Sequence, residues 1–283
     1  MAGKLHLGMV AALVVAGTVG AQRAVATVIV SDTFRGNNGD QIIGRTPDTT
    51  NLPGGTWQAN GNAYNPTTGK GYTNEIENNQ ALLGADVGDG IALTGNGVPT
   101  ETSYTISGTF TLDFSNAASG DFIGAGLGFF SQVSTGNTHG WYDSYGIQVA
   151  SQSDGSGAEI FLLDSGSNGT TYIYPYLTKL SSFNAAVSHT LSYTVNTVTG
   201  DFSNVVLDGS TVVLAATGQT YSPFTPANTA LAGILGASSG GNDLTEFSSF
   251  SVATSVPDVS ALSLLAIGAG VLVLAGRRGV ARA

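Results

Sequence analysis

The sequence predicts an all-β protein, an antiparallel two-sheet β-sandwich carried between an apolar N-terminal signal helix and an apolar C-terminal transmembrane helix. Three observations lead there. A dozen short runs between residues 27 and 254 are rich in apolar and β-branched side chains, the clearest alternating with period two. Turn dipeptides such as Asp154-Gly155, Asn168-Gly169, Thr199-Gly200 and Asp208-Gly209 separate these runs. No long amphipathic helix and no fixed-period repeat interrupts them, which excludes a solenoid or a propeller.

Residues 1–26 read as a secretory signal peptide. Lys4 and His6 precede an apolar stretch from Leu7 to Gly20, and the small-x-small triplet Ala24-Val25-Ala26 offers a cleavage site before Thr27. The stretch is shorter than a comfortable membrane span, and even an uncleaved anchor would export the body of the chain.

The body, 27–254, opens with "TVIVSDTF" and a strand around Trp57, whose indole is expected in the core. "NEIENN" places Glu75 and Glu77 on one strand face if extended, and "NQALLGA" follows. In "ETSYTISGTFTLDF" the even positions Tyr104, Ile106, Gly108, Phe110, Leu112 and Phe114 make an apolar face, with hydroxyls and Asp113 on the other. The glycines of "DFIGAGLGFF" mark a strand that is curved or closely approached. "SYGIQVA" points Tyr145, Ile147 and Val149 inward, and "AEIFLLD" and "TYIY" come next. "YLTKLSSFNAAVS", 176–188, is expected to hold a short helical turn. "HTLSYTVN" turns Leu191, Tyr193 and Val195 inward, leaving His189 at a surface or edge. "DFSNVVLDG", "TVVLAA", "LAGILGA" and "LTEFSSFSV" complete the set.

Between Thr27 and Gly276 nineteen acidic residues face only Arg35, Arg45, Lys70 and Lys179, a net charge of −15. That charge excludes nucleic acid and anionic lipid as partners of the body, since both need clustered Lys and Arg. The chain has no cysteine, which excludes disulfides, thiol nucleophiles and Cys-based zinc sites. Stability therefore rests on one large core, for which the 228 residues from Thr27 to Thr254 suffice.

Beyond the body, Ser260 to Gly276 is seventeen residues without a charge, roughly 25 Å of helix. It is apolar on every face, unlike an amphipathic core helix, and Arg277, Arg278 and Arg282 come directly after it, as the positive-inside rule places them at a cytoplasmic boundary.

Two resemblances add to this reading. "HTLSYTVNTVTGDFSNVVLDGSTVVL" resembles the strand and hairpin pattern of concanavalin-like and laminin-G-like jelly rolls, and "NDLTEFSSFSV" resembles their closing strand. That resemblance implies a "DG" hairpin in a curved sheet and a closing strand paired beside the segment ending "SDTF". The tail "VPDVSALSLLAIGAGVLVLAGRR" is similar to PEP-CTERM sorting signals of Gram-negative bacteria, a Val-Pro-Glu-Pro-like motif, a transmembrane helix and an arginine cluster. "DTFRGNNGDQIIGRTPDTTNLPGGTWQANGNAY" looks like the start of many jelly-roll proteins with such tails. The resemblance implies that 255–283 is an address label, with Val256, Pro257 and Asp258 in motif 256–259, a helix over 260–276 and the basic tail 277–283 containing Arg277 and Arg278. An exosortase-type enzyme would be the partner, and the cell surface or matrix the destination. Asp258-Val259 departs from the usual Glu-Pro.

No catalytic set stands out. The Glu-x-Asp-x-x-Glu spacing of laminarinase-like hydrolases is absent, and Glu75 and Glu77 read as solvated charges. "DSGSNGTTYIYP" fits a turn better than a calcium loop, since Gly166 and Pro175 occupy ligand positions, so no cofactor or metal site is identified. The binding candidate is "NTHGWYDSYG", where His139, Trp141, Tyr142 and Asp143 combine an aromatic platform with polar groups suited to a sugar. The alternative is that Trp141 plugs one end of the sandwich. The sequence thus points to a non-enzymatic structural, adhesive or glycan-associated module; a polysaccharide hydrolase and a calcium-dependent lectin are the rivals.

Overall fold

Period-two patterning becomes eighteen strands in two antiparallel sheets among the residues that the computed structural model describes, 26–61, 74–85, 89–94, 97–99, 103–114, 121–130, 144–152, 157–164, 176–212, 229–238 and 243–255. In chain order these are β1 (Val28–Asp32), β2 (Asp40–Gln41), β3 (Thr49–Thr50), β4 (Thr56–Gly61), β5 (Glu75–Glu77) and β6 (Gln80–Ala85). Next come β7 (Asp89–Thr94), β8 (Val98–Pro99), β9 (Ser103–Asp113), β10 (Phe122–Phe130), β11 (Ser144–Gln152) and β12 (Ala158–Asp164). The last are β13 (Tyr176–Leu180), β14 (His189–Asn196), β15 (Phe202–Leu207), β16 (Ser210–Thr211), β17 (Thr229–Ser238) and β18 (Asp243–Thr254). One sheet runs β16-β15-β14-β9-β18-β6-β5-β2, with β1 beside β18 and β3 beside β1. The other runs β13-β12-β11-β10-β17-β7-β4, with β8 on β17. No helix of the described residues is long and apolar enough to cross a membrane. Residues 1–25 and 256–283, which hold all but Ala26 and Ser255 of the expected signal peptide and sorting tail, lie outside the described residues.

Each inner face follows the expected alternation. Tyr104, Ile106, Phe110 and Leu112 of β9 meet Ile123, Ala125, Leu127 and Phe129 of β10 in one core, joined by Ile147, Ile160, Leu191, Tyr193 and Ile234. The closing strand lies where the jelly-roll resemblance implies, with Val30 opposite Val252 and Asp32 opposite Phe250. In β18 the spacing of Phe247 and Phe250 breaks period two, and a bulge between Phe247 and Ser249 restores the phase so that both rings are buried.

The "SDTF…GRTPD…GGTW" opening is a structural clasp. Asp32 is fully buried and accepts hydrogen bonds from Trp57 Nε1 at 2.7 Å and Phe34 N at 2.7 Å, with Arg45 Nη2 at 3.3 Å. Arg45 also donates to Arg35 O, and Asp48 accepts from Thr33 N and its hydroxyl. The Thr33 hydroxyl bond lowers the Asp48 pKa, whereas burial raises that of Asp32 against its three donors. Trp57 is core, as expected, packed against Phe34 and edge-on to Phe250 at 5.9 Å.

Three features depart from the sequence reading. Residues 176–180 form strand β13 on the edge of β12, and 181–188 are bends and turns, because an open sheet edge supplied partners that local pattern does not register. Strands β10 and β11 are buried on both faces, whereas the alternation of "SYGIQVA" suggests a half-wet strand for β11. The β5–β6 hairpin turns on Asn78 and Asn79, both at positive φ, a reversal without glycine.

Candidate functional site

The glycan candidates His139, Trp141, Tyr142 and Asp143 lie outside the described residues, as do Val256, Pro257, Asp258, Arg277 and Arg278 of the expected sorting signal. The points where the chain leaves and rejoins the fold are described. Phe130 and Ser144 are direct cross-strand partners, so the connection carrying the candidates is rooted at one end of the second sheet. Tyr145 pairs with Asp164 and Phe130 with Leu231, which roots connections 165–175 and 213–228 at that same end. There the Phe129 ring meets Tyr104 edge-on at 5.8 Å, and Tyr104 pairs with Thr254, so both ends of the body lie there too.

On the outer face of the first sheet, alternation presents hydroxyls to water. Ser192, Ser107, Ser251 and Ser31 stand opposite one another across β14, β9, β18 and β1, each partly exposed, at strand spacings of about 4.8 Å. Thr49 extends the row onto β3, and the pairs Thr194–Thr105 and Thr190–Thr109 flank it, the latter joined by a 3.0 Å hydrogen bond. Farther along the same face the chemistry becomes acidic. A cleft of about 450 Å³ is lined by Thr111, Leu112, Asp113, Phe114, Ala186 and Glu246. Burial, reinforced by the charges of Asp113 and Glu77, raises the Glu246 pKa. Glu77 is exposed, in keeping with a solvated charge, and Glu75 is partly so. Sequence spacing does not reveal Asp113 and Glu246 as a pair, because only the β9–β18 ladder joins residues so far apart in the chain.

The outer face of the second sheet is different. Gly124, Gly126 and Gly128 of β10 form a floor without side chains, flanked by Gly146 and Gly233. A Cβ at Gly128 would fall 2.2 Å from Tyr145 O, so the close strand approach expected of this segment is present. Phe130, Leu163, Leu235 and Ala92 make a second buried apolar cluster on this face. Gln148 lies across Gly124, 2 % exposed, and its Nε2 has no hydrogen-bond partner among the described residues.

His189 is buried, not at the surface that its place at a strand start suggested. Its Nδ1 lies 2.8 Å from Asp208 Oδ2 and its Nε2 2.8 Å from Asn184 O, and its ring stacks on Phe183 at 4.0 Å. Both ring nitrogens are thus engaged in holding the 181–188 turn to the Asp208-Gly209 hairpin, which leaves neither for catalysis. Among the described residues no three His, Asp or Glu side chains are placed to hold a metal ion.

No protein-family model matches the chain, and no curated protein matches it. Solved structures resemble it at low identity. The potassium-bound carbohydrate recognition domain of Emp46p is 13 % identical, covering 69 % of this chain and 87 % of that one with a TM-score of 0.43. The legume lectin-like domain from Entamoeba histolytica is 10 % identical over 69 % and 88 %, at 0.42. The family 7 alginate lyase A1-II′ is 9 % identical over 82 % and 93 %, at 0.40.

Proposed function

We propose that residues 27–254 are the exported module of a surface-sorted protein of a Gram-negative bacterium, acting structurally or adhesively through contact with extracellular polysaccharide. The observation that carries this reading is the row Ser192–Ser107–Ser251–Ser31, open and uncharged in a strongly acidic body. A hydroxyl that already faces water gains only about 0.5–1.5 kcal/mol by exchanging it for a sugar hydroxyl. Useful affinity then comes from many such contacts along one polymer, which suits adhesion to a matrix better than capture of a small sugar. His139, Trp141, Tyr142 and Asp143 supply a second contact, an aromatic platform on the connection rooted at Phe130 and Ser144. The signal peptide 1–26 and the tail 255–283, with an exosortase-type enzyme acting near Val256–Asp258, account for export and release. In this reading the membrane is engaged through 260–276 before processing only.

A second reading has one observation in its favour. Asp113 and Glu246 share a cleft, and Glu246 has the raised pKa expected of a general acid, as a polysaccharide hydrolase requires. Co-sedimentation of the purified body with bacterial and plant polysaccharides tests both readings. The adhesive reading expects retention that falls when Ser107 and Ser251 are changed to Glu, and that falls separately with Trp141→Ala. Retention indifferent to all three changes removes it. New reducing ends that vanish in Glu246→Gln would establish the hydrolase instead.

A further inference from the structure

His189 stands between two groups that can only accept. Its Nδ1 lies 2.8 Å from a carboxylate, Asp208 Oδ2, and its Nε2 lies 2.8 Å from a peptide carbonyl, Asn184 O. A neutral imidazole has one N–H and one lone pair, so it satisfies one of these oxygens and turns a lone pair on the other. Only the doubly protonated ring donates to both. At 6 % exposure the residue has little water to turn to instead. Asp208 is the more firmly fixed neighbour, since its Oδ1 accepts from Thr190 N at 2.8 Å and its own N donates to Thr190 O at 2.9 Å. The turn 181–188 adds the Phe183 ring, stacked at 4.0 Å, and β9 adds the Phe110 ring at 5.9 Å. Among the described residues Asp208 is therefore the one charged group within ion-pairing distance of the imidazole.

Asn184 in turn organises the 181–188 turn. Its carbonyl also accepts from Val187 N at 3.2 Å, and its Oδ1 accepts from Ala186 N at 3.3 Å. Ala185 O accepts from Leu112 N at 3.2 Å, and Leu112 and Ala186 line the same cleft as Asp113 and Glu246. From this geometry we propose that charged His189 is a latch on the turn: the Ala186 wall of the cleft is held while the ring carries two protons and is released when it loses one. A carboxylate is a stronger acceptor than a peptide carbonyl, so the proton that remains stays on Nδ1 toward Asp208, and Asn184 is let go. The latch is thus complete in mild acid and weakens as pH rises through the range in which an imidazole ordinarily titrates. It sets the shape of one wall of the cleft, whichever ligand the cleft takes.

The test uses the full chain in detergent and reads amide hydrogen exchange by mass spectrometry at about pH 5.5 and about pH 9, corrected for the intrinsic pH dependence of exchange. Peptides covering Leu112 and Ala186–Val187 should exchange about tenfold faster at the higher pH, while peptides from β10 and β11 stay unchanged as an internal reference. Asp208→Asn keeps an oxygen for Thr190 N and offers an N–H to Nδ1, so a neutral ring can satisfy both neighbours and the response should vanish. His189→Gln carries no titrating proton, should lose the response as well, and remains informative if Asp208→Asn does not fold. Nitrogen-15 spectra of labelled histidine, assigned by the signal lost in His189→Gln, should show both ring nitrogens protonated at about pH 5.5. A response below about twofold in the natural chain, one that either folded variant retains, or one shared by the reference peptides overturns the proposal. So does a ring that carries a single proton at about pH 5.5.

Discussion

Replacing Asp32 by Asn changes one buried oxygen into an NH₂ group with almost no change of shape. The carboxylate takes Trp57 Nε1–H on one oxygen and Phe34 N–H with Arg45 on the other. An amide offers one acceptor, so whichever way it turns, its NH₂ faces a donor and one buried N–H loses its partner. That costs about 1–3 kcal/mol. Loss of charge opposite Arg45, whose side chain is 21 % exposed at 3.3 Å, adds at most about 1 kcal/mol. The sum, about 1–4 kcal/mol, is a large part of the 5–15 kcal/mol by which domains are usually stable. For a body of this size it corresponds to a fall in Tm of about 2–16 °C. Urea and thermal unfolding of the body measure it, with Trp57 fluorescence as a local probe. The decisive comparison is made in a Trp57→Phe background, where the indole N–H is already gone. There Asp32→Asn should cost only about 1 kcal/mol, because the amide no longer opposes that donor. A cost below about 0.5 kcal/mol in the natural background, or an equal cost in both, would refute the clasp.

Glu246→Gln should raise Tm at pH 7. The folded-state pKa of Glu246 lies above its usual value through burial and the charges of Asp113 and Glu77, so the folded chain binds more protons than the unfolded chain between those two pKa values. Stability is therefore lost as pH rises through that window, the variant escapes the loss, and the two proteins should converge below the ordinary glutamate range; a variant less stable than the parent at pH 7 contradicts this. Gly128→Ala drives a methyl group to 2.2 Å from Tyr145 O, which only separation of β10 from β11 relieves, at about 1–3 kcal/mol by chemical denaturation. Gly209→Ala, with nothing near its Cβ but φ at +76°, should cost only about 1 kcal/mol. Equal losses at the two positions would show that backbone preference, not close approach, governs both. His189→Ala should leave the core in place but expose 181–188 to limited proteolysis, since the Asn184 and Phe183 contacts go with the ring; unchanged protection would place the restraint elsewhere.

Much of the fold was legible because alternation is local. The face of β9, the inward residues of β11 and β14, and the Asp208-Gly209 reversal all depend on neighbours within a few positions. Legibility failed where a distant partner decided the outcome. Tyr176–Leu180 became a strand because β12 offered an edge, and His189 went inside because Asp208 and Asn184 supply its acceptors and Phe183 its stacking surface. The second buried face of β10 and β11 was hidden for a related reason: glycines and Gln148 look like exposed positions in a strand until the flanking Leu163 and Leu235 are known.

By itself the sequence determined the class of the body, the rows of inward side chains, the absence of thiol chemistry and the negative charge that restricts partners. These depend on composition and on periodicities that the backbone imposes. Only the tertiary structure decided which strands became neighbours, and with that which polar groups converge. Strand pairing aligned Ser31, Ser107, Ser192 and Ser251 into one row, brought Asp113 beside Glu246, enclosed Asp32 among its donors, and set Thr27 against Thr254. Register carries that information, and register is settled by contacts between residues tens to hundreds of positions apart, which no local pattern encodes.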